Sequence, residues 1–262
     1  MDQELADKIR NENVRVHQKE AAFYDRLHLE INNLYARRFT DKDVNYIFRN
    51  ISTEIPTVLD VGCGTGYLTL RFLNHGSKVF ALDISQEMLN VLEKKLDKPG
   101  AALILADVDT YIKNTNEVFD VITFSSVLHH LPDYLDTIRN AMHLLRNGGI
   151  VYITHEPLGK TKTNREAKES LLWKIVAKVD AELFHARCNK VLSACGNIDY
   201  SCSDYHCEKG IDINGLLELF SKHNIKVLTY TEYNVRKYAF IDFIENTCKP
   251  SKSHFRLIAK KN

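Results

Sequence analysis

The stretch Thr57-Val58-Leu59-Asp60-Val61-Gly62-Cys63-Gly64-Thr65-Gly66-Tyr67 constrains this chain more than any other. A short β-branched and apolar run carries an acid, three glycines at a spacing of two follow at once, and Tyr67 to Leu73 reads as the opening of a helix. The pattern predicts a strand, a tight glycine turn and a helix whose free N–H groups face the turn. Glycine is needed where the backbone takes positive φ or where a ligand lies against bare backbone. The spacing narrows the ligand. A dinucleotide fingerprint, G-x-G-x-x-G, opens for a pyrophosphate and keeps its acid about 20 positions later. Here the spacing is G-x-G-x-G, Tyr67 occupies the sixth position where it crowds a pyrophosphate, and Asp60 two residues before the first glycine repels phosphate and attracts a cation. The alternative is a glycine turn in an ordinary α/β protein.

This loop resembles motif I of the class I S-adenosylmethionine-dependent methyltransferases, whose cofactor carries an ammonium and a sulfonium. The resemblance implies S-adenosyl-L-methionine as cofactor and S-adenosyl-L-homocysteine as product. It implies that Asp60 positions the methionine end and that Gly62, Cys63, Gly64 and Gly66 pack against the cofactor.

Strand and helix patterns then alternate. Ser77 to Leu82 is a strand ending at Asp83, and Ser85 is a good N-cap for a helix carrying Met88, Leu89, Leu92 and Leu96. Asp83 lies 17 residues after Gly66, where a carboxylate can accept from both ribose hydroxyls. Dehydrogenases use the same device, so Asp83 indicates ribose without choosing the cofactor; a helix-start acid is the bland reading. Ile84 and Met88 beside it are expected in the cofactor pocket. The third strand, Ala101 to Ala106, ends at Asp107-Val108; the resemblance gives Asp107 the adenine amino group and Val108 the ring face. Val118 to Phe124 is the fourth strand, with Ser125 at its cofactor end. A helix from Pro132 carries Leu135, Ile138, Met142 and Leu145 and stops at Asn147-Gly148-Gly149, before a fifth strand from Ile150 to Thr154 and then His155-Glu156-Pro157. From Phe119 to Pro157 the chain resembles the small-molecule branch of the family, the methyltransferase type 11/12-like group, and the whole resemblance covers residues 57 to 157. No Asn-Pro-Pro-Tyr follows the fourth strand, where enzymes methylating nucleic-acid amino groups carry it; Ser125-Ser126-Val127-Leu128 stands there.

Four regions are expected: an N-terminal helical cap (1–50), a cofactor-binding core (51–157), an inserted helical lid and acceptor region (158–211), and a C-terminal completion of the sheet (212–262). Gly and Pro are absent before Pro56, and Ile31, Leu34, Tyr35 and Phe39 recur on one helix face. Ahead of them, Tyr24-Asp25 matches a pair that closes over the cofactor in many small-molecule methyltransferases, although Tyr24 is equally read as a packed aromatic. In the insertion, Asn164 to Cys188 reads as helix with Leu171, Leu172, Ile175, Val179, Leu183 and Phe184 largely on one face. After it come a helix from Ile213 to His223, a strand from Ile225 to Tyr230, a helix from Arg236 to Cys248 and a last strand from His254 to Ala259. The expected fold is α/β: a Rossmann-like, seven-stranded, mostly parallel sheet with helices on both faces, the seventh strand and antiparallel closure coming from the resemblance.

Composition excludes several classes. At 262 residues, 44% hydrophobic and 26% charged, with net charge +1, the chain suits a globular core with no global field for nucleic acid or acidic lipid. Charged residues throughout Met1 to Arg10 are wrong for a signal peptide, no apolar run reaches a membrane span, and six cysteines read as reduced thiols in a cytoplasm. Cys188, Cys195, Cys202 and Cys207, with His206, lack the C-x-x-C pair of zinc sites, so no metal is expected.

A sulfonium is an activated leaving group, so in-line displacement chiefly needs positioning, with a general base only where the acceptor must lose a proton. Base candidates are His129 after the fourth strand, His155 and Glu156 after the fifth, and His206 (with Tyr205) in the insertion; His130 reads as a loop residue. The function read from these features is methyl transfer to an O, N or C atom of a small-molecule acceptor. Two alternatives stand beside it. One is action on protein or RNA, for which Lys160, Lys162, Arg165, Lys168 and Lys174 offer a thin basic strip; the other is a non-catalytic S-adenosylmethionine-binding partner or regulator.

Overall fold

The computed structural model describes residues 2–97, 100–159, 171–196, 198–200, 202–207, 209–249 and 251–262. Its centre is a seven-stranded sheet of order β3-β2-β1-β4-β5-β7-β6. The strands are β1 (Thr57–Val61), β2 (Lys78–Asp83), β3 (Ala101–Leu105), β4 (Phe119–Ser125), β5 (Leu145–Pro157), β6 (Ile225–Tyr233) and β7 (His254–Lys261). The β1–β5 pairings are parallel, and β7 is antiparallel to both β5 and β6. The order reverses between β1 and β4, and ligands bind at such a switch point, outside the C-terminal strand ends.

Helices cover both faces: α1 (Gln3–Glu20), two short turns α2 (Tyr24–Leu27) and α3 (Leu29–Asn32), α4 (Leu34–Asn50), α5 (Thr69–Asn74), α6 (Gln86–Glu93), α7 (Val108–Asn114), α8 (Tyr134–Ala141), α9 (Leu171–Cys195), α10 (Ile213–Lys222) and α11 (Ala239–Cys248). One core layer joins Leu59, Leu82, Ile122, Ile138, Val151 and Phe220; the other joins Val44, Ile47, Phe72, Val121 and Tyr152. The central strands are buried on both faces, as their near-continuous apolar runs require.

Several boundaries differ from the sequence expectation. Ile31, Leu34, Tyr35 and Phe39 do not form one continuous face. Asn33 takes extended backbone (φ −69°, ψ 162°) and its Oδ1 caps α4 at the Tyr35 and Ala36 N–H groups. The interruption leaves Leu34 59% exposed, because an asparagine that caps the next helix ends the previous turn. The helix after β4 starts at Tyr134 under an Asp133 cap, and the Gly148-Gly149 turn belongs to a longer β5. Of the expected 164–188 helix, residues 164–170 lie outside the described residues, and α9 continues to Cys195. Its apolar stripe is not packed inward: Leu171, Leu172, Ile175, Val179 and Leu183 are exposed, whereas Phe184 and Cys188 are buried against Leu27.

Candidate functional site

The glycine turn after β1 takes positive φ at Gly62 (64°), Gly64 (51°) and Gly66 (93°). The three have separate jobs. A Cβ on Gly62 would stand 2.4 Å from Val127 Cγ2, and one on Gly66 2.4 Å from Leu92 Cδ1, while Gly64 faces open space. Gly66 therefore serves close packing of the turn on α6. The Gly64 N–H donates to Asp83 Oδ2 at 2.7 Å and the Ser85 N–H to Oδ1 at 2.8 Å, which holds the β2-tip carboxylate beside the loop.

Above these strand ends lies a cavity lined by Asp60, Gly62, Cys63, Gly64, Asp83, Ile84, Met88, Asp107, Val108, Ser125 and Tyr24. The expected cofactor residues thus meet in one chamber, Gly66 excepted. Burial pushes Asp60 up to about 6 despite its bonds from Thr69 and Thr123, and burial also raises Asp83. Two carboxylates that are costly to ionise suit a ligand bringing positive charge and oppose a pyrophosphate.

Helix α1 completes the chamber with Arg10, Asn13 and His17, none of which was singled out from sequence. Arg10 Nε lies 3.0 Å from Asp107 Oδ2 and its guanidinium also reaches Asp109 at 3.2 Å, so the acid expected at the adenine is clamped by the cap as well as capping α7. Asn13 donates to the carbonyls of Ile9 and His130, and its buried Oδ1 has no partner among the described residues, an acceptor available to a ligand N–H or O–H. The Tyr24-Asp25 pair divides its work. Tyr24 lines the chamber, while Asp25 accepts from Thr65 Oγ1 at 2.6 Å and pairs with Lys95, tying the cap to the glycine loop.

A second cavity adjoins the first under α9 and shares a wall of His17, Tyr24, Ile31, Ser126 and His130. It is rich in titratable groups, including Glu20, His28, Glu30, His129, His155, Asp204, Lys237 and His254. His129 Nδ1 lies 2.8 Å from Glu156 Oε2, and His130 Nδ1 lies 3.0 Å from the Ser203 carbonyl. Burial works against charge on both rings; Glu156 nevertheless raises His129, whereas His130 is pushed well below the usual histidine range.

Two base candidates are placed elsewhere, and a third is a poor base. Glu156 is wholly buried, lines neither cavity, and accepts from the Val127, Leu128 and His129 N–H groups as well as from His129. It is a loop anchor, not an acceptor-facing base. His206 spends Nε2 on the Pro132 carbonyl at 3.2 Å, and with Tyr205 lies outside both linings. His155 does line the second cavity, but its Nδ1 meets Tyr233 Oη at 3.0 Å and burial drives it to about 3, too weak to hold a proton near neutral pH. His129 remains, with no protein partner at Nε2 among the described residues.

His28 anchors the cap side of this cavity between Glu20 Oε2 (3.3 Å) and Glu30 Oε1 (3.1 Å). Burial opposes its charge, yet the two carboxylates lift it to about 9, and Glu30, also bonded to Lys237, falls to about 2. A folded-state value above the unfolded one stabilises fully below about pH 6.5 and is lost as pH rises through 9, a contribution of about 3 kcal/mol. His28→Asn is expected to lower the urea midpoint at pH 6 and to flatten its decline between pH 6.5 and 9. An unchanged alkaline decline in the variant would place the titrating group elsewhere.

The comparisons agree with this geometry. Residues 59–153 match the methyltransferase domain family. The ubiquinone biosynthesis O-methyltransferase of Aliivibrio fischeri is 31% identical over 114 residues, 42% of this chain and 49% of the relative. That of Serratia proteamaculans is 34% identical over 114 residues, 42% and 47% of the two chains. The chain therefore spans about half the length of the curated relatives it matches. Among solved structures, magnesium protoporphyrin IX methyltransferase from Synechocystis PCC 6803 with bound SAM superposes with TM-score 0.56 at 11% identity, over 96% of this chain and 97% of that one. The [4+2]-cyclase SpnF gives TM-score 0.52 at 14% identity over 84% and 81%. At such identities the structural likeness is one of fold. The family match covers the strand tips that build the first chamber: residues 59–153 are similar to the methyltransferase domain family.

Proposed function

We propose that the chain transfers a methyl group from S-adenosyl-L-methionine to a small-molecule acceptor. The observation that carries this reading is the shared wall between the two chambers, which sets a cavity over the glycine loop against a second cavity under α9. The similarity to O-methyltransferases supports it. Bound S-adenosylmethionine supplies a methyl carbon on a positively charged sulfur. Asp60, Asp83 and Asn13 Oδ1 are the groups that would hold its cationic and hydroxylated parts, Arg10-Asp107 with Val108 would hold its base, and Tyr24 stands at the junction. Glu156 fixes the Ser126–His129 turn, Phe184 and Leu192 of α9 shield the second chamber, and His129 lines it.

The four regions expected from sequence enter this proposal as cap, core, lid and sheet completion. A small acceptor is favoured over RNA or protein because the second chamber lies between cap and lid. Of the basic strip, Lys174 is described, on α9, and Lys160, Lys162, Arg165 and Lys168 lie outside the described residues. No helix among the described residues is long and apolar enough to cross a membrane. A cytoplasmic setting belongs to the proposal, supported by thiols at Cys63, Cys188, Cys202 and Cys248 that form no disulfide among the described residues.

Calorimetric titration with S-adenosylhomocysteine tests the reading. One micromolar site is expected, weakened roughly ten- to hundredfold in Asp83→Ala through loss of charge-assisted hydrogen bonds, and no site for NAD. A folded protein that binds no S-adenosylhomocysteine would end the proposal.

A further inference from the structure

Two adjacent histidines and an acid converge where the chambers meet. One ligating atom from each of His129, His130 and Asp204 lies within 4.8 Å of the others. The rings of His129 and His130 are 4.1 Å apart between centroids, and His130 Nδ1 is 3.4 Å from Asp204 Oδ1. Each Nδ1 faces an acceptor, the Glu156 carboxylate for His129 and the Ser203 carbonyl for His130. Those bonds select the tautomer protonated at Nδ1 and leave a lone pair on each Nε2. A carboxylate or carbonyl behind a histidine is how proteins orient imidazoles toward metal ions, and it strengthens the imidazole as a ligand. Two histidines and one carboxylate with open positions form the donor set of many catalytic first-row metal sites.

We propose that His129, His130 and Asp204 bind one divalent first-row transition cation, with its open positions toward the acceptor chamber. Asp204 approaches His130 at Nδ1, so coordination through the two Nε2 atoms needs the Asp204 side chain to rotate toward them. The set contains no cysteine, and so differs from the arrangement that the absent C-x-x-C pair excluded. Its role rests on the methyltransferase reading. A hydroxyl acceptor would bind the cation through oxygen and lose its O–H proton to water; the oxygen's electron pair then forms the O–CH3 bond as the S–CH3 bond breaks, its electron pair leaving on sulfur as S-adenosylhomocysteine. The substrate class is therefore an alcohol, phenol or enol, in preference to a nitrogen or carbon acceptor.

The test uses the metal alone. Chelator-stripped full-length protein is titrated with Zn²⁺ against a chromophoric competitor and, separately, with Co²⁺ while visible absorption is recorded. One equivalent is expected to bind, with cobalt bands of a low-coordinate nitrogen–oxygen site. Asp204→Asn and His129→Gln should each weaken binding by at least roughly a hundredfold, while Cys202→Ser/Cys207→Ser leaves it unchanged. S-adenosylhomocysteine affinity, measured in the same Asp204→Asn sample, is expected to persist; this checks the fold and keeps failure of the cofactor reading separate from failure of the metal site. Absence of stoichiometric zinc binding, binding indifferent to Asp204→Asn and His129→Gln, or binding that requires the cysteines would each overturn the proposal.

Discussion

Glu156→Ala is expected to destabilise the protein by about 3–5 kcal/mol, the cost of removing one partner from a buried charged cluster. The carboxylate has no exposure, and its two oxygens receive the N–H groups of Val127 (2.7 Å), Leu128 (2.9 Å) and His129 (3.3 Å) and the His129 ring (2.8 Å). Alanine leaves these donors facing a dry void, each unsatisfied group costing about 1–3 kcal/mol before relaxation. Glu156→Gln retains the volume but turns an amide N–H₂ toward donors, so an intermediate loss is expected. Urea unfolding at pH 7 measures both. Because Val127 and Ser126 also line the cofactor chamber, S-adenosylhomocysteine affinity should fall with the loop. A Glu156→Ala protein with unchanged urea midpoint and lost turnover would instead restore Glu156 as an acceptor-facing base.

The misplacement of Glu156 shows where sequence reading stops. On a regular strand tip, His155 and Glu156 would alternate outward toward the ligand. The backbone instead turns to φ +58° at His155, and the β5–β7 register slips between Ile153 and Glu156. One irregular residue reverses which neighbour points inward, and a non-glycine residue in the left-handed region carries no sequence signal. The core was legible because its cues are local: β-branched runs, glycines that need positive φ, and acids at strand ends. Asp60, Asp83 and Asp107 therefore appear where their spacing placed them.

Contacts across the chain were not legible. Arg10 reaches Asp107 across 97 residues, and nothing in a charged helix distinguishes it from Lys8 or Arg15. His17 and Asn13 lie on the inner face of α1 for the same unreadable reason. The apolar stripe of α9 was visible as a stripe, but periodicity does not say what covers it, and much of it faces outward. Fold likeness is equally silent on chemistry, since a cyclase and a methyltransferase share this architecture.

Gly62→Ala joins the two loops in one measurable quantity. The residue sits at φ +64°, and the added methyl would stand 2.4 Å from Val127 Cγ2 and 2.9 Å from its Cβ. The left-handed backbone alone costs an alanine about 1–2 kcal/mol. Val127 has little room to retreat, because its N–H is held at 2.7 Å by Glu156. The glycine loop must therefore move, carrying Gly64 and its bond to Asp83, so S-adenosylhomocysteine affinity should fall by about a hundredfold, near 2.7 kcal/mol. Val127→Gly removes both contacting carbons and should restore much of that loss when combined with Gly62→Ala, leaving the backbone strain. Calorimetry on the wild type, both single variants and the double variant gives the coupling, expected to exceed about 1 kcal/mol for residues in contact. Additive losses would mean that the methyl is accommodated elsewhere and that the glycine turn and the Glu156-held loop do not bear on each other.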